Sequence, residues 1–411
     1  MKDINNFKDI DKYLRRFKHT STTQPYNLKR MKDLMKFLGN PQNKLSIIHV
    51  AGTSGKTSTS YYIASLLKQA GYSTGLSISP HIDEINERLQ INLTPLNETD
   101  YIRAFNEFIE LINTFDEKIT YYEFLIAMAF WYFNKQNVDY AVIEVGIGGL
   151  LDGTNVVDNP NKICVITDIG LDHTKLLGNT IAQITKQKAG IITKNSKVFC
   201  YKQSNEINNI IQKVAKLNNA SVYHPKEKKC ALPLNDFQKR NFILANSLVS
   251  NIIVDNNKAE LNKLQLEKAA SIIIPGRFEV IKDNKKTVIL DGAHNLQKIR
   301  TLVHDIEKIY PGKSMRVLLT LDSDDLLKNN EIILSILQLS NNLIITTLLD
   351  LDNNQLKDKF YNSNKSTNKI KITFIADTLS ALAELLKSDD ELLLITGSFY
   401  LLRKYRYLLI K

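Results

Sequence analysis

His49-Val50-Ala51-Gly52-Thr53-Ser54-Gly55-Lys56-Thr57-Ser58-Thr59 joins a short apolar run, Leu45 to Val50, to a stretch that reads as a helix from Ser58 to Ala70. A glycine-rich turn between a strand and a helix aims backbone N–H groups at one point, and the helix N-terminus adds partial positive charge there. Lys56 supplies a full charge, and a hydroxyl after it can ligate Mg²⁺. These residue types suit the phosphates of a nucleoside triphosphate such as ATP, with Gly52, Thr53, Ser54, Gly55, Lys56, Thr57 and Ser58 as the contacts. The spacing is unusual. The common phosphate loop has four residues between its first glycine and its Gly-Lys pair, whereas only Thr53 and Ser54 separate Gly52 from Gly55.

Outward from this loop, strand-like and helix-like stretches alternate. Gly75–Ile78, Tyr140–Val145, Ile163–Thr167 and Lys197–Tyr201 read as strands, and Tyr121–Asn134 and much of Thr180–Ile191 as helices. Upstream, Phe7–Phe17 and Leu28–Leu38 carry apolar residues at helical spacing, separated by the polar stretch His19–Pro25. The alternation predicts an α/β fold with a mostly parallel sheet, whose ligands sit at the carboxyl ends of strands. Thr53, Glu144, Asp168 and His173 all fall at or just after such ends. Pro275-Gly276-Arg277-Phe278 reads as a junction. Beyond it Thr287–Leu290, Arg316–Leu321, Leu343–Thr347, Lys371–Ile375 and Leu392–Thr396 form a second strand series. The expectation is a nucleotide-binding domain over residues 1–275, with an N-terminal helical segment, and a smaller Rossmann-like α/β domain over 276–411.

Bulk properties narrow the class. The 411 residues are 43% hydrophobic and 24% charged, which suits a soluble protein with sizeable cores. No apolar run reaches the ~20 residues that span a bilayer, and the first residues lack a signal-peptide core. Cys164, Cys200 and Cys230 lie far apart without metal spacing, so a reducing cytoplasm is expected. The net charge of +11 comes from lysines interleaved with Asn and acidic residues, as in the mixed polar turn Lys282-Asp283-Asn284-Lys285-Lys286. No basic block or aromatic-basic stripe marks a nucleic-acid surface, and the general positive field favours ATP and polyanionic substrates.

Four further segments could carry chemistry. In Ile143-Glu144-Val145-Gly146-Ile147-Gly148-Gly149-Leu150-Leu151-Asp152-Gly153-Thr154-Asn155, Glu144 stands at a strand end beside a glycine-rich turn, where it could hold a metal or cap a helix. His173, in Gly170-Leu171-Asp172-His173-Thr174, is a possible Mg²⁺ ligand, although Mg²⁺ prefers oxygen and a lone His is more often structural. Lys186-Gln187-Lys188-Ala189-Gly190-Ile191 reads by itself as a solvated face. Leu290-Asp291-Gly292-Ala293-His294-Asn295 follows a strand, and its Asp and Asn suit ribose and base contacts.

Taken in order, these segments resemble the Mur ligase superfamily and, within it, the folylpolyglutamate synthase/dihydrofolate synthase branch. The resemblance runs from about Tyr26 to Arg406. It includes Asn27-Leu28-Lys29-Arg30-Met31, Leu38-Gly39-Asn40-Pro41, Ser79-Pro80-His81, Asn86-Glu87-Arg88 and Thr396-Gly397-Ser398-Phe399-Tyr400 beside the motifs above. The chain departs from the branch in three places. Gly55-Lys56-Thr57-Ser58 replaces the usual Gly-Lys-Gly-Ser, Ser54 stands where Asn is usual, and Leu150 where Arg is usual. The first change is closer to the peptidoglycan ligases.

The resemblance implies an ATP-dependent ligase that activates a folate or dihydropteroate carboxylate as an acyl phosphate, which the amine of L-glutamate then attacks. A Mur-type amide ligase acting on a cell-wall precursor or another carboxylate is the alternative. Lys56, His173 and Lys188 would be catalytic. Mg²⁺ would be held by Ser58 or Thr57, Glu144 and His173, and Lys188, once carbamylated, would hold a second Mg²⁺. The resemblance puts Ser58 first, whereas the general loop pattern points to Thr57. Gln238 and Asn241 would contact adenine, Asp291 the ribose and Arg277 the phosphates, while His294 would help join the domains around ATP. A monomeric cytoplasmic enzyme with small-molecule substrates, and neither nucleic-acid nor membrane partners, is expected.

Overall fold

The computed structural model describes residues 4–17, 27–225, 232–283, 286–321, 326–347 and 371–410. The polar stretch His19–Pro25, Tyr26, Cys230 and the Asn284-Lys285 tip of the polar turn lie outside them. The chain divides into two compact units, Met1–Leu234 with Gln238–Ile272, and Asn235–Phe237 with Ile273–Lys411. Among the described residues, no helix is long and apolar enough to cross a membrane.

The first unit is built on an eight-stranded sheet. Its strands are β1 (Ile47–Ala51), β2 (Thr74–Ser77), β3 (Gln90–Ile91), β4 (Thr94–Pro95), β5 (Tyr140–Glu144), β6 (Ile163–Ile166), β7 (Lys197–Cys200) and β8 (Ser221–Tyr223), in the order β4-β3-β2-β5-β1-β6-β7-β8. All neighbours from β2 to β8 pair in parallel, while the short β3 and β4 add an antiparallel edge. Strands covered on both faces need apolar residues at nearly every position, and β1 and β6 are buried throughout. Register sets Val50 opposite Glu144 and Ala51 opposite Ile166. The loops after β1, β5 and β6 therefore leave the sheet at one edge.

Helix Lys56–Gln69 follows β1 and is buried from Thr57 to Leu67. On one side of the sheet, helices Phe7–Leu14, Lys29–Phe37, Glu98–Ile112 and Tyr121–Lys135 share a core rich in rings, including Phe105, Phe108, Phe124 and Phe130. Helix Tyr121–Lys135 opens on a reciprocal cap between Thr120 and Glu123, which satisfies two otherwise orphaned amides. Cys164 and Cys200 are buried free thiols.

The second unit carries six strands, β9 (Glu279–Asp283), β10 (Lys286–Asp291), β11 (Met315–Leu321), β12 (Asn342–Thr347), β13 (Lys371–Phe374) and β14 (Leu392–Thr396), in the order β13-β12-β11-β14-β10-β9. Only β9 runs antiparallel. Successive residues of β11 serve opposite faces, as Val317 and Leu319 join one apolar cluster and Leu318 the other.

Candidate active site

The loop after β1 is fastened to the segment after β6. Gly52 must be glycine, because a Cβ there would stand 1.8 Å from Thr167 Oγ1. The Thr167 hydroxyl donates to the Ser54 carbonyl at 2.7 Å. The Asp168 carbonyl accepts the amides of Thr53 (2.8 Å) and Ser54 (3.2 Å). Thr53 Oγ1 donates to the Gly170 carbonyl and accepts the Gly170 amide. Gly55 has φ +87°, and a Cβ on it would stand 2.5 Å from Asn241 Oδ1. Helix Lys56–Gln69 starts at once, so its first-turn amides carry the partial positive charge of a helix start.

Charged groups and oxygen donors gather on this loop. Lys56 Nζ donates to the Gly52 carbonyl at 3.1 Å, and Lys188 Nζ to the same oxygen at 2.8 Å. Thr57 Oγ1 donates to Glu144 Oε1 at 2.9 Å, while Glu144 Oε2 accepts the Ser79 amide at 3.2 Å. Glu144 and Ser58 are both buried. A buried carboxylate touching the hydroxyl next to Lys56 is an oxygen donor set that suits Mg²⁺. His173 is exposed, in the left-handed conformation before helix Thr174–Leu177. Ser54 Oγ and Asn241 Nδ2 are buried without hydrogen-bond partners, so the loop retains an unspent hydroxyl and an unspent amide donor. Both fit a polar ligand such as ATP. Gln238, half-buried, lies one turn before Asn241 on helix Asp236–Asp255.

The glycine-rich turn after Glu144 is held by Asp152. Its carboxylate accepts the amides of Ile147 (2.8 Å) and Thr154 (3.0 Å) and the hydroxyls of Thr154 (2.6 Å) and Tyr122 (3.2 Å). Burial pushes this carboxyl above its usual range against those bonds. Because Thr154 Oγ1 donates to Asp152, it accepts from His49 Nε2 at 2.7 Å. Burial, and then Lys162, hold the His49 imidazole well below its ordinary range, so it is neutral. The turn docks on the end of helix Ile181–Ala189. Leu150 N–H donates to the Gln187 carbonyl, and Asn155 Nδ2 to the carbonyls of Leu150 and Gly190. Of the two lysines that read as a solvated face, Lys186 is exposed, but Lys188 is 3% exposed and turned into the loop.

One contact of this site escaped the sequence reading. Arg240 forms two bonds to the Asp168 carboxylate, Nη2–Oδ1 at 2.6 Å and Nε–Oδ2 at 3.1 Å, and lies 4.2 Å over the Tyr201 ring. Further along the strand ends, Ser79-Pro80 is a cis peptide, and Arg88 Nε donates to His81 Nδ1 at 2.8 Å.

In the second unit, Arg277, Asp291 and His294 are neighbours. Asp291 accepts the amides of Phe278 and Ala293, both at 2.8 Å, and burial raises its carboxyl despite Arg277 nearby. Arg277 lies 3.8 Å over the Phe399 ring, and His294 meets the same ring edge-on. His294 Nδ1 donates to the Gly292 carbonyl, leaving Nε2 to accept from Lys298. Among the described residues, one cluster outside these sets could hold a metal: Asp236, His304 and Asp305. Lys308 already supplies it with a cation, 2.6 Å from Asp236 Oδ2.

A model of the Mur ligase middle domain matches residues 50–280, and one of the Mur ligase glutamate ligase domain matches residues 276–399. The dihydrofolate synthase/folylpolyglutamate synthase of Bacillus subtilis is 30% identical over 413 residues, covering 92% of this chain and 94% of its own. The folylpolyglutamate synthase of Lacticaseibacillus casei is 31% identical over 74% of this chain and 77% of its own. Mycobacterium tuberculosis folylpolyglutamate synthase, solved with ADP and AMPPCP, superposes with a TM-score of 0.83 at 25% identity and 98% coverage of both chains. An FPGS–AMPPCP–folate complex has a TM-score of 0.76 at 26% identity, covering 99% of this chain and 100% of its own.

Proposed function

The chain belongs to the Mur ligase family, in its folylpolyglutamate/dihydrofolate synthase branch, and on that premise we propose how its residues carry out ATP-dependent ligation of L-glutamate to a folate or dihydropteroate carboxylate. The observation that carries the assignment is the meeting of Thr57 with Glu144 beside Lys56. The reaction has two steps. The substrate carboxylate attacks the γ-phosphorus of ATP, the bond to the bridging oxygen breaks, and ADP leaves. The neutral amine of glutamate then adds to the acyl phosphate, phosphate leaves with its electron pair, and an amide forms as the amine gives up a proton.

Phosphoryl transfer of this kind needs placement and charge neutralisation more than covalent help. First-turn amides of helix Lys56–Gln69 receive the phosphates, and Lys56 exchanges the Gly52 carbonyl for phosphate oxygens. Mg²⁺ neutralises charge on the transferring group when it is bound. Thr57 and Glu144 would hold it, with Ser58 and His173 as the further donors implied by the family resemblance. Carbamylation of Lys188 would turn a cation into a carboxylate beside the Gly52 carbonyl and create a second acidic ligand. Asn241 offers its unspent amide to the adenine, with Gln238 as the second base contact. Arg277, Asp291 and His294 are assigned to the phosphates, the ribose and the polar surroundings of ATP. We read the working enzyme as a cytoplasmic monomer; light scattering of the purified protein checks the monomer.

The test is ATP- and glutamate-dependent phosphate release with dihydropteroate, tetrahydrofolate or a UDP-muramoyl peptide as the acid. Release with either of the first two, abolished by Lys56→Ala in a protein that still folds, is expected. Stimulation by the muramoyl peptide alone overturns the substrate, and full turnover by Lys56→Ala overturns the loop.

A further inference from the structure

We propose that Arg240 is a positioning residue for ATP, acting through Asp168 on the phosphate loop; this rests on the nucleotide site described above. Asp168 joins two sets of bonds. Its carboxylate takes both arms of the Arg240 guanidinium, and its main-chain carbonyl takes the amides of Thr53 and Ser54. The ion pair therefore fixes the peptide that fixes the loop. The fork needs arginine, since two parallel N–H donors in one plane set the carboxylate's orientation as well as its distance. Tyr201, 4.2 Å beneath the guanidinium, limits how that plane can tilt.

The next residue works on the same loop. Asn241 packs its Oδ1 where a Cβ of Gly55 would be, and its Nδ2 is buried without a hydrogen-bond partner. Arg240 and Asn241 thus tie helix Asp236–Asp255 to the loop at two points, one through Asp168 and one directly. If Asn241 receives the base, then Arg240 sets the distance between the base contact and the phosphate contacts. Side-chain exposures of 40% for Arg240 and 16% for Asp168 make the pair a weak contributor to stability, so its loss alters geometry more than folding.

The experiment compares Arg240→Gln, Arg240→Lys, Asp168→Asn and the Arg240→Gln/Asp168→Asn double variant. Its readouts are KM for ATP, KM for glutamate, kcat, direct binding of ADP, and the unfolding midpoint. Each neutralising single variant should raise KM for ATP and weaken ADP binding by about tenfold, with KM for glutamate and the unfolding midpoint nearly unchanged. The double variant should be no worse than the worse single, because one contact is lost in all three. Arg240→Lys should recover part of the loss. Unchanged ADP binding in both single variants overturns the proposal. So does an effect of Arg240→Gln that Asp168→Asn does not share, since Arg240 would then touch the nucleotide itself. Parallel loss of ADP binding and thermal stability would mark a merely structural pair and also overturn it. Absence of ligase turnover in the unaltered protein would refute the substrate reading, while ADP binding still decides the role of Arg240.

Discussion

Replacing Gly52 with alanine tests whether the loop works as a rigid cradle. The added Cβ would stand 1.8 Å from Thr167 Oγ1 and 3.0 Å from Thr167 Cβ. Carbon and oxygen need more than ~3 Å, so loop and strand end must part by roughly 1 Å. Thr167 cannot simply rotate away, because its hydroxyl donates to the Ser54 carbonyl at 2.7 Å and lies 3.3 Å from the Ala51 carbonyl. Overpacking of this kind costs about 1–3 kcal/mol of stability. A displacement near 1 Å at a phosphate-positioning group costs roughly 100-fold in rate, or about 2.7 kcal/mol of transition-state stabilisation. Expected, then, is a fall of that order in kcat/KM for ATP, measured by phosphate release, with ADP binding weakened in calorimetry. Adding Thr167→Ala removes the 1.8 Å contact and leaves the 3.0 Å one, so the double variant should regain part of the ADP affinity. Wild-type ATP kinetics in Gly52→Ala, or a double variant no better than the single, would refute the steric argument.

Lys188→Ala should lower kcat on the order of 100-fold, the scale of losing one charge contact in the transition state. ADP binding should hardly change; normal turnover would exclude the carbamate. Glu144→Gln keeps the volume and removes the charge opposite Thr57. The Mg²⁺ concentration for half-maximal activity should rise roughly 10–100-fold, and an unmoved Mg²⁺ titration would remove Glu144 from the metal site. Burial is the main cause that raises the Asp305 carboxyl to about 6, with Asp236 adding to it and the Phe237 amide and His304 opposing. The folded state then binds a proton that the unfolded chain, with its carboxyl near the ordinary value of about 3.9, has already released. Stability should therefore fall as pH rises from about 4 to about 6 and level off above. Asp305→Asn should flatten that slope and gain about 1–2 kcal/mol at neutral pH, discounted for the exposed His304 beside it. Denaturant unfolding across pH 4–7 checks this, and an unchanged slope in the variant would reject it.

Elements whose physics is local were legible in the sequence. A strand covered on both faces must be apolar at nearly every position, so β1, β5, β6, β11 and β14 announce themselves as runs, within one or two residues of their observed ends. Strands β3 and β4 are two residues each and carry no period to read. β9 is an edge strand of mixed polarity, Glu279-Val280-Ile281-Lys282-Asp283, paired antiparallel with β10, and its sequence reads like any polar stretch. The site divides in the same way. Gly52, Lys56 and Thr57 sit within one loop, where spacing alone exposes their chemistry. Lys188 does not, because two positions from Lys186 on a helix is a turn of about 200°. Spacing cannot tell which of the two faces inward. Arg240 and Asp168 are 72 residues apart, and only the fold brings them together.

The short spacing of the loop has a physical consequence. In a longer loop, amides before the Gly-Lys pair are free to turn inward to phosphate. Here those of Thr53 and Ser54 are already committed to the Asp168 carbonyl. On the proposed nucleotide site, the cradle is thereby reduced to the helix start from Gly55 onward, the Ser54 hydroxyl and the Lys56 amine. Fewer backbone donors leave more of the phosphate charge to be met by side chains and metal. A lysine amine at the mouth of the loop, and a hydroxyl directly on a buried carboxylate, are the features that such a cradle would use. Gly-Lys-Thr in place of Gly-Lys-Gly fits the same need, since Thr57 brings an oxygen to Glu144 from the first turn of the helix. On the proposed metal site, the departure from the folate branch at Thr57 would therefore bear on metal binding, and it would leave the choice of carboxylate substrate to residues elsewhere in the chain.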